Sequence, residues 1–408
     1  MDALAHAYVQ LVLALGVHDA DAVDACYGPA SLTTDVEAAA ATLPDIAQAA
    51  ADLQERLMAV APPTDEPTAR RLRMLRAQVR ALAARVAMQA GARVSFDEES
   101  RALYDAVAPT HDAAHFEPVL AALEAVLPGD GPLGERYERF RTAFVVPPER
   151  VDRVFRAAID ASRARTLARV PLPEGETFTL AYVTNRPWSG YNWYQGDYRS
   201  RIEVNTDLPI VIDRALDLAC HEGYPGHHVY NVLIEQHLVR GRGWIEWAVY
   251  PLFSPQSLIA EGTANFGITV AFPEEDRRAF DREVLFPLAG LDATQADRYR
   301  HVQHLVARLS YAGNEAARQY LDGTMPLERA ETWLQRYALM DQPRAAQRVR
   351  FFERYRSYVI NYNLGEDLVR AFVEAHGGTG DRPDRRWDVF MRLLREPHLP
   401  SELALPAQ

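Results

Sequence analysis

The stretch Cys220-His221-Glu222-Gly223-Tyr224-Pro225-Gly226-His227-His228 places three histidines and a carboxylate close together in the chain. It follows an apolar segment, from Ile210 to Leu218, of the kind that forms a helix buried in a core. Imidazole and carboxylate groups are common ligands of zinc. The stretch therefore predicts a metal site, which the rest of the chain must complete with a further ligand and a cleft.

The spacing of these histidines is two residues longer than in the HExxH motif of zinc peptidases. In HExxH the histidines are four positions apart and share one face of a helix, with the glutamate beside the metal. Here His221 and His227 would lie about 120° apart around a regular helix. His228 would share the face of His221, but about 10 Å further along the axis. Two glycines and a proline between the histidines predict a break in the helix that could bring His221 and His227 together.

Each side chain of the motif has an expected role. His221 and His227 are predicted to bind the metal, and Glu222 is predicted to activate a water molecule as a general base. His228 is expected to support the site, with the alternative that it replaces His227 as the second ligand. A catalytic zinc ion takes three protein ligands and leaves one position for water, so a third ligand must come from elsewhere in the chain.

The pattern His-Glu-x-x-Pro-Gly-His-His resembles the signature of the domain-of-unknown-function family 885, a family similar to the gluzincin metallopeptidases. A downstream Glu-Gly pair of that family is matched by Ile259-Ala260-Glu261-Gly262. The resemblance implies that Glu261 is the third ligand and that the cofactor is one zinc ion per chain. Further similarities extend it over most of residues 150–408, through Arg318 with Asp322, Tyr362-Asn363-Leu364-Gly365, and Phe390 to Leu399.

Two more side chains are candidates for supporting roles. Tyr362 is predicted to donate a hydrogen bond to the oxyanion of the transition state, with Tyr358 as the alternative. Asn265, one turn after Glu261, could orient a metal ligand from behind. The activity implied is that of a zinc-dependent hydrolase, most simply a metallopeptidase acting on short peptides. Hydrolysis of a non-peptide amide or ester, or an inactive metal-bound binding protein, remain alternatives.

The remaining sequence predicts a mainly α-helical protein with a small β-sheet, with a gluzincin-like architecture and a helical cleft. Strands are expected over 177–184 and 200–205, separated by an aromatic loop at 188–196 that packs on the sheet or contacts substrate. Asn205 to Pro209 has the features of a helix start, so a helix is predicted from there into the motif. Further helices are predicted in two segments between 35 and 91, and over 350–375.

Pro147-Pro148 divides the chain into an N-terminal helical region, 1–148, and a metal-binding catalytic region, 149–408. The two regions are expected to pack as one continuous unit, with the first walling a cleft over the metal.

Composition excludes several classes of function. A formal net charge of -12 argues against a nucleic-acid partner. Two cysteines are too few for a disulfide framework. The sequence contains no apolar run of about 18 residues and no secretory signal, so no membrane partner is expected and a cytoplasmic location is predicted.

Overall fold

Helices form most of the chain. A computed structural model describes residues 1–186 and 188–404, with 67% of the residues in helices and 7% in strands. This confirms the mainly α-helical class with a small sheet. Within the described ranges, no helix has both the length and the apolar character that crossing a membrane requires.

The helices and strands follow the chain in three groups. The first is α1 (Asp2–His18), β1 (Val23–Cys26), α2 (Ser31–Ala39), α3 (Leu43–Met58), α4 (Glu66–Gln89), α5 (Phe96–Tyr104), α6 (Ala113–Val126), α7 (Leu133–Thr142) and α8 (Val151–Leu167). The second is β2 (Thr177–Val183), β3 (Gly190–Gly196), β4 (Arg199–Asn205), α9 (Ile212–Leu218), α10 (His227–Ile234), β5 (Val249–Pro251) and α11 (Pro255–Ala271). The third is α12 (Glu274–Phe280), α13 (Phe286–Ala289), α14 (Ala296–Ala307), α15 (Ala312–Leu321), α16 (Leu327–Tyr337), α17 (Gln342–Tyr355), α18 (Ile360–Ala375), α19 (Pro383–Arg395) and α20 (Pro400–Leu403).

Helix α11 lies at the centre of the largest core. Nearly all of its residues are buried, as expected of a helix without a polar face. Helix α18 packs directly against it, because a Cβ atom on Gly262 would lie only 2.4 Å from the carbonyl group of Gly365. This close approach fixes Glu261, the neighbour of Gly262, relative to Tyr362 on α18.

The three-stranded sheet has the order β2-β4-β3, with β2 parallel and β3 antiparallel to β4. Strands β2 and β4 lie where the sequence predicts them. The prediction of an aromatic loop over 188–196 is wrong for most of that range, because Gly190–Gly196 forms a strand that pairs with β4. Its alternate residues Asn192 and Tyr194 are buried, so the aromatic content reflects a strand with one face on the core.

The predicted helix start at 205–209 is also wrong. Helix α9 begins at Ile212, because the preceding residues pair with the chain around Val145. The N–H of Val146 donates to the carbonyl of Ile210 at 2.8 Å, and the N–H of Ile212 donates to the carbonyl of Phe144 at 3.0 Å. Tertiary pairing thus satisfies backbone groups that a longer helix would have used.

Two other helix predictions need correction. Residues 35–91 contain parts of three helices, α2, α3 and α4, where two were predicted. The helix predicted over 350–375 is broken at Arg356, whose φ is +51°. There the N–H of Ser357 donates to Oε1 of Glu99 at 3.0 Å, which anchors the start of α18 to α5.

A second, two-stranded sheet joins the first 148 residues to the rest of the chain. Strand β1 pairs with β5 in antiparallel register, with Val23 opposite Pro251 and Cys26 opposite Val249. Strand β5 directly precedes α11, so residues near position 24 come close to the helix that carries Glu261.

Candidate metal centre

The histidine motif lies on a backbone that leaves one helix and re-forms as another. A π-helical turn over Ala219–Gly223 follows α9, and the chain then bends before α10 begins at His227. Only glycine allows this bend, because a Cβ atom on Gly226 would lie 1.9 Å from the carbonyl oxygen of His221. The predicted break is therefore present, and it returns His227 to the side of His221.

Three side-chain atoms converge at this bend. Nε2 of His227 lies 3.1 Å from Nε2 of His221. Oε2 of Glu261 lies 3.3 Å from Nε2 of His221 and 3.7 Å from Nε2 of His227. Ligands at zinc–nitrogen and zinc–oxygen bond lengths on a tetrahedral ion are separated by about 3.3 Å. The three residues therefore fit a zinc ion without rearrangement.

Hydrogen bonds on the side away from the site orient two of these side chains. Nδ1 of His221 donates to Oδ1 of Asn265 at 2.8 Å, which leaves the lone pair of Nε2 directed into the site. The amide of Asn265 is itself held by donating to the carbonyl of Tyr362 at 2.8 Å. The hydroxyl of Tyr358 donates to Oε1 of Glu261 at 2.7 Å. Both ligand side chains are thus preorganised.

The ligand group carries charges suited to a cation. Burial favours the neutral acid of Glu261, but the neighbouring His221 and His227 lower its pKa far below the usual range. Burial opposes a charge on His227, but Glu261, with Glu222 and Asp24, raises its pKa to about 9. Oε2 of Glu261 is buried without a hydrogen-bond partner among the described residues. A metal ion would satisfy this oxygen and displace the proton from His227.

The carboxylate of Glu222 lies next to the ligands and is almost fully buried. Its carboxylate oxygens accept no hydrogen bond from the described residues, so they remain available to a water molecule. Strand β3 faces this side chain, since a Cβ atom on Gly190 would lie 3.1 Å from Oε1 of Glu222. Nδ2 of Asn192 donates to the main-chain carbonyl of Glu222 at 2.7 Å. The sequence indicated Gly190 and Asn192 only as part of the loop at 188–196, and it gave neither a contact with Glu222.

The two candidate tyrosines have different environments. The hydroxyl of Tyr358 donates a hydrogen bond to Glu261, whereas the hydroxyl of Tyr362 forms no hydrogen bond within the described part of the chain. Burial, followed by the negative charge of Glu261, raises the pKa of Tyr362 well above its ordinary value. Tyr362 therefore keeps its proton at neutral pH and could donate it in a hydrogen bond to a substrate oxygen.

His228 points away from the ligand group. Its Nδ1 lies 2.8 Å from Oγ of Ser200 and its Nε2 lies 3.0 Å from Oε2 of Glu176. Both ring nitrogens are therefore occupied, and the side chain is fully buried. Of the paired histidines, His227 is the one placed among the ligands.

Asp24 of β1 is an acidic residue near the site that the sequence did not indicate. Its Oδ1 accepts a hydrogen bond from the hydroxyl of Tyr191. Burial raises the pKa of Asp24 to about 7; the charge of His227 opposes this effect, and those of Glu261 and Glu222 add to it. No local pattern marks Asp24, because the pairing of β1 with β5 alone brings it here.

Comparisons with known proteins bear on the fold. No family model matches the chain, and no curated protein matches it. Among solved structures the chain is similar to a putative lipoprotein from Colwellia psychrerythraea, with a TM-score of 0.55 and 15% sequence identity. The match covers 88% of this chain and 65% of that one, so this chain spans less than two-thirds of the other's length. At this identity the similarity concerns the fold alone, and function must be argued from the side chains.

Proposed function

We propose that this chain is a zinc-dependent hydrolase, a metallopeptidase that cleaves amide bonds in short peptides. We also propose that it belongs with the domain-of-unknown-function family 885 and shares a gluzincin-like architecture, in which helices of the first 148 residues wall a cleft. The observation that carries the proposal is the convergence of His221, His227 and Glu261. Their ligand atoms are separated by 3.1, 3.3 and 3.7 Å.

The side chains around the ligands supply the remaining parts of a hydrolytic site. Zinc, when bound, supplies a Lewis acid that activates a water molecule and polarises the scissile carbonyl. Glu222 takes the proton from the attacking water and passes it to the leaving amine. Tyr362 donates a hydrogen bond to the oxygen on which negative charge develops, a contribution of about 3 kcal/mol. Asn265 and Tyr358 hold the ligand side chains in place.

A purely structural metal site is less well supported. Structural zinc is normally enclosed by four protein ligands, whereas three are present here among the described residues. A structural site would also give no role to Glu222, whose carboxylate accepts no hydrogen bond from the described residues. Both features are those of a site that keeps one position for water and a base beside it.

Metal content is the first test of this proposal. We expect one equivalent of zinc, measured by mass spectrometry, in the purified parent protein and in Glu222→Gln. Zinc should be lost from His227→Ala and from Glu261→Ala. His228→Ala is the matched control: it removes a neighbouring buried histidine, and zinc should be retained. An absence of metal in the parent protein after zinc loading would overturn the proposal.

Turnover is the second test. A panel of short peptides, non-peptide amides and esters should separate peptidase activity from the alternatives. We expect Glu222→Gln to lose turnover while retaining zinc, because it keeps the size of the side chain and removes the base. Equal turnover by the parent protein and Glu222→Gln would exclude the assigned mechanism.

A further inference from the structure

Arg348 on α17 is a partly buried cation without a counterion. It forms no ion pair with any described residue, and its Nε atom is buried without a hydrogen-bond partner. The fully buried arginines of the described chain are paired: for example, Arg71 Nε lies 2.6 Å from Glu246 Oε1, and Arg277 Nη1 lies 2.8 Å from Asp217 Oδ1. Burial lowers the pKa of Arg348, as expected where no carboxylate offsets the loss of hydration. An unpaired charge at a partly buried position lowers stability, which makes Arg348 a candidate for binding an anion.

The surroundings of Arg348 connect it to the candidate metal centre. Its guanidinium carbon lies over the rings of Phe351 and Phe352, at 4.7 and 5.4 Å from their centroids. The ring of Phe351 is 6.4 Å from that of Tyr362, the proposed oxyanion donor. Tyr362 in turn is 5.7 Å from Tyr358, which binds Glu261. These contacts place the guanidinium on the Tyr362 side of the site.

We propose that Arg348 binds a carboxylate of the substrate, namely the free C-terminal carboxylate of a short peptide. This inference rests on the proposed hydrolase function and specifies its class of substrate. A guanidinium presents two parallel N–H donors that match the two oxygens of a carboxylate. The guanidinium lies against Phe351 and Phe352, and its N–H groups donate no hydrogen bond to a described residue, so they are available for this contact.

Electrostatics also favour this position for a substrate anion. Asp24, Glu222 and Glu261 place negative charge at the site, and the chain has a formal net charge of -12. These carboxylates would offset the charge of a bound zinc ion, and the unpaired guanidinium would then attract a substrate carboxylate. Arg348 would thus fix the direction in which a peptide lies across the metal ligands.

Binding to a protein that cannot turn over provides the test. The probes are N-acetyl-alanyl-alanine and its C-terminal amide, titrated by calorimetry into zinc-loaded Glu222→Gln. We expect the acid to bind about 10- to 100-fold more tightly than the amide, the range for a hydrogen-bonded charged pair. Arg348→Met in this background should abolish the preference, and Arg348→Lys should restore part of it.

Arg350→Met is the matched control. Arg350 lies on the same helix, is exposed and forms no ion pair with the described residues, so its replacement changes net charge equally and should leave the preference intact. Arg348→Met should fold at least as stably as its parent, because an apolar side chain replaces an unpaired buried charge. N-acetyl-alanyl-glutamic acid amide carries only a side-chain carboxylate, so it distinguishes the two possible sources of the substrate carboxylate. An Arg348-dependent preference for this probe alone would show that Arg348 binds an acidic side chain instead of the C-terminus.

The outcomes separate this inference from the proposed function. Equal or undetectable binding of acid and amide by the Glu222→Gln protein, or a preference that survives Arg348→Met, would overturn the carboxylate site. A chain that binds zinc and cleaves peptides without distinguishing acid from amide would retain the hydrolase proposal alone. A chain with an Arg348-dependent preference but no turnover would retain the carboxylate site and lose the peptidase.

Discussion

Nδ1 of His221 lies 2.8 Å from Oδ1 of Asn265, one turn along α11 from Glu261. Residues four positions apart share a helix face, so one helix supplies both a candidate ligand and the group that orients another candidate ligand. The arrangement ties the position of His221 to the rotation of α11.

We expect Asn265→Ala to weaken zinc binding by about 10- to 100-fold, because His221 loses the partner that fixes its tautomer and ring orientation. A competition titration with a chromophoric chelator would measure the change. Asn265→Asp keeps the acceptor for His221 but loses the donor to the carbonyl of Tyr362, so its zinc affinity should lie between those of Asn265→Ala and the parent protein. Unchanged affinity in Asn265→Ala would show that the contact does not position the ligand.

The two tyrosines should have separable effects. Tyr358→Phe removes the hydrogen bond to Glu261, so zinc affinity should fall. Tyr362→Phe should leave zinc affinity unchanged and lower kcat by about 10²- to 10³-fold, the effect of losing one oxyanion donor. Chelator titration and steady-state kinetics on both variants would check this. The reverse pattern, with metal loss in Tyr362→Phe, would exchange the two assigned roles.

The contact between α11 and α18 should tolerate no added atom. We expect Gly262→Ala to lower the free energy of unfolding by about 3 kcal/mol, because a Cβ atom there would overlap the backbone at Gly365. Urea denaturation would measure the loss. Gly134→Ala on α7 is the control, since its Cβ atom would meet its nearest neighbour at 3.6 Å. That substitution should be neutral or stabilising by up to about 1 kcal/mol.

His398 should make stability depend on pH. Burial, followed by the charge of Arg70, lowers its pKa to about 3. The folded state therefore binds a proton at His398 less readily than the unfolded state does. The free energy of unfolding is highest above the unfolded pKa of about 6.5, and it decreases as the pH falls toward the folded pKa. Between pH 7 and pH 5, His398 should lower the free energy of unfolding by about 2 kcal/mol. This is the product of about 1.5 pH units and 1.36 kcal/mol per unit.

Urea denaturation at both pH values would test the contribution of His398. His398→Gln should lose less stability on acidification than the parent protein, by about that amount. The exposed His6 serves as the control, and His6→Gln should follow the parent curve. An identical loss in the parent protein and His398→Gln would rule out His398 as the source.

Local sequence was sufficient for some parts of the site. The glycines and proline between His221 and His227 predicted the bend, because they act on the backbone where they stand. The start of α11 is also a local feature, because Pro255 lies in the first turn of the helix. Glu261 came from a family resemblance, and no spacing rule would have identified it.

Other features of the fold and of the site depend on contacts between segments that are distant in the sequence, and these could not be predicted. The helix predicted from residue 205 starts later because Val211 pairs with Val145. Asp24 reaches the site through strand pairing with β5. Arg348 looks like any other arginine in the sequence, since only the folded chain shows that it lacks a counterion. Such features require knowledge of which segments meet, which a single sequence does not supply.

The pairing of β1 with β5 has a consequence for dissecting the protein into fragments. A piece beginning at residue 149 would lack β1, so the backbone donors and acceptors of β5 would be exposed as an open strand edge. Unpaired edges recruit strands from other molecules and promote association. The buried Val249 would also become part of that edge. We therefore expect such a fragment to self-associate, whatever its content of metal ligands.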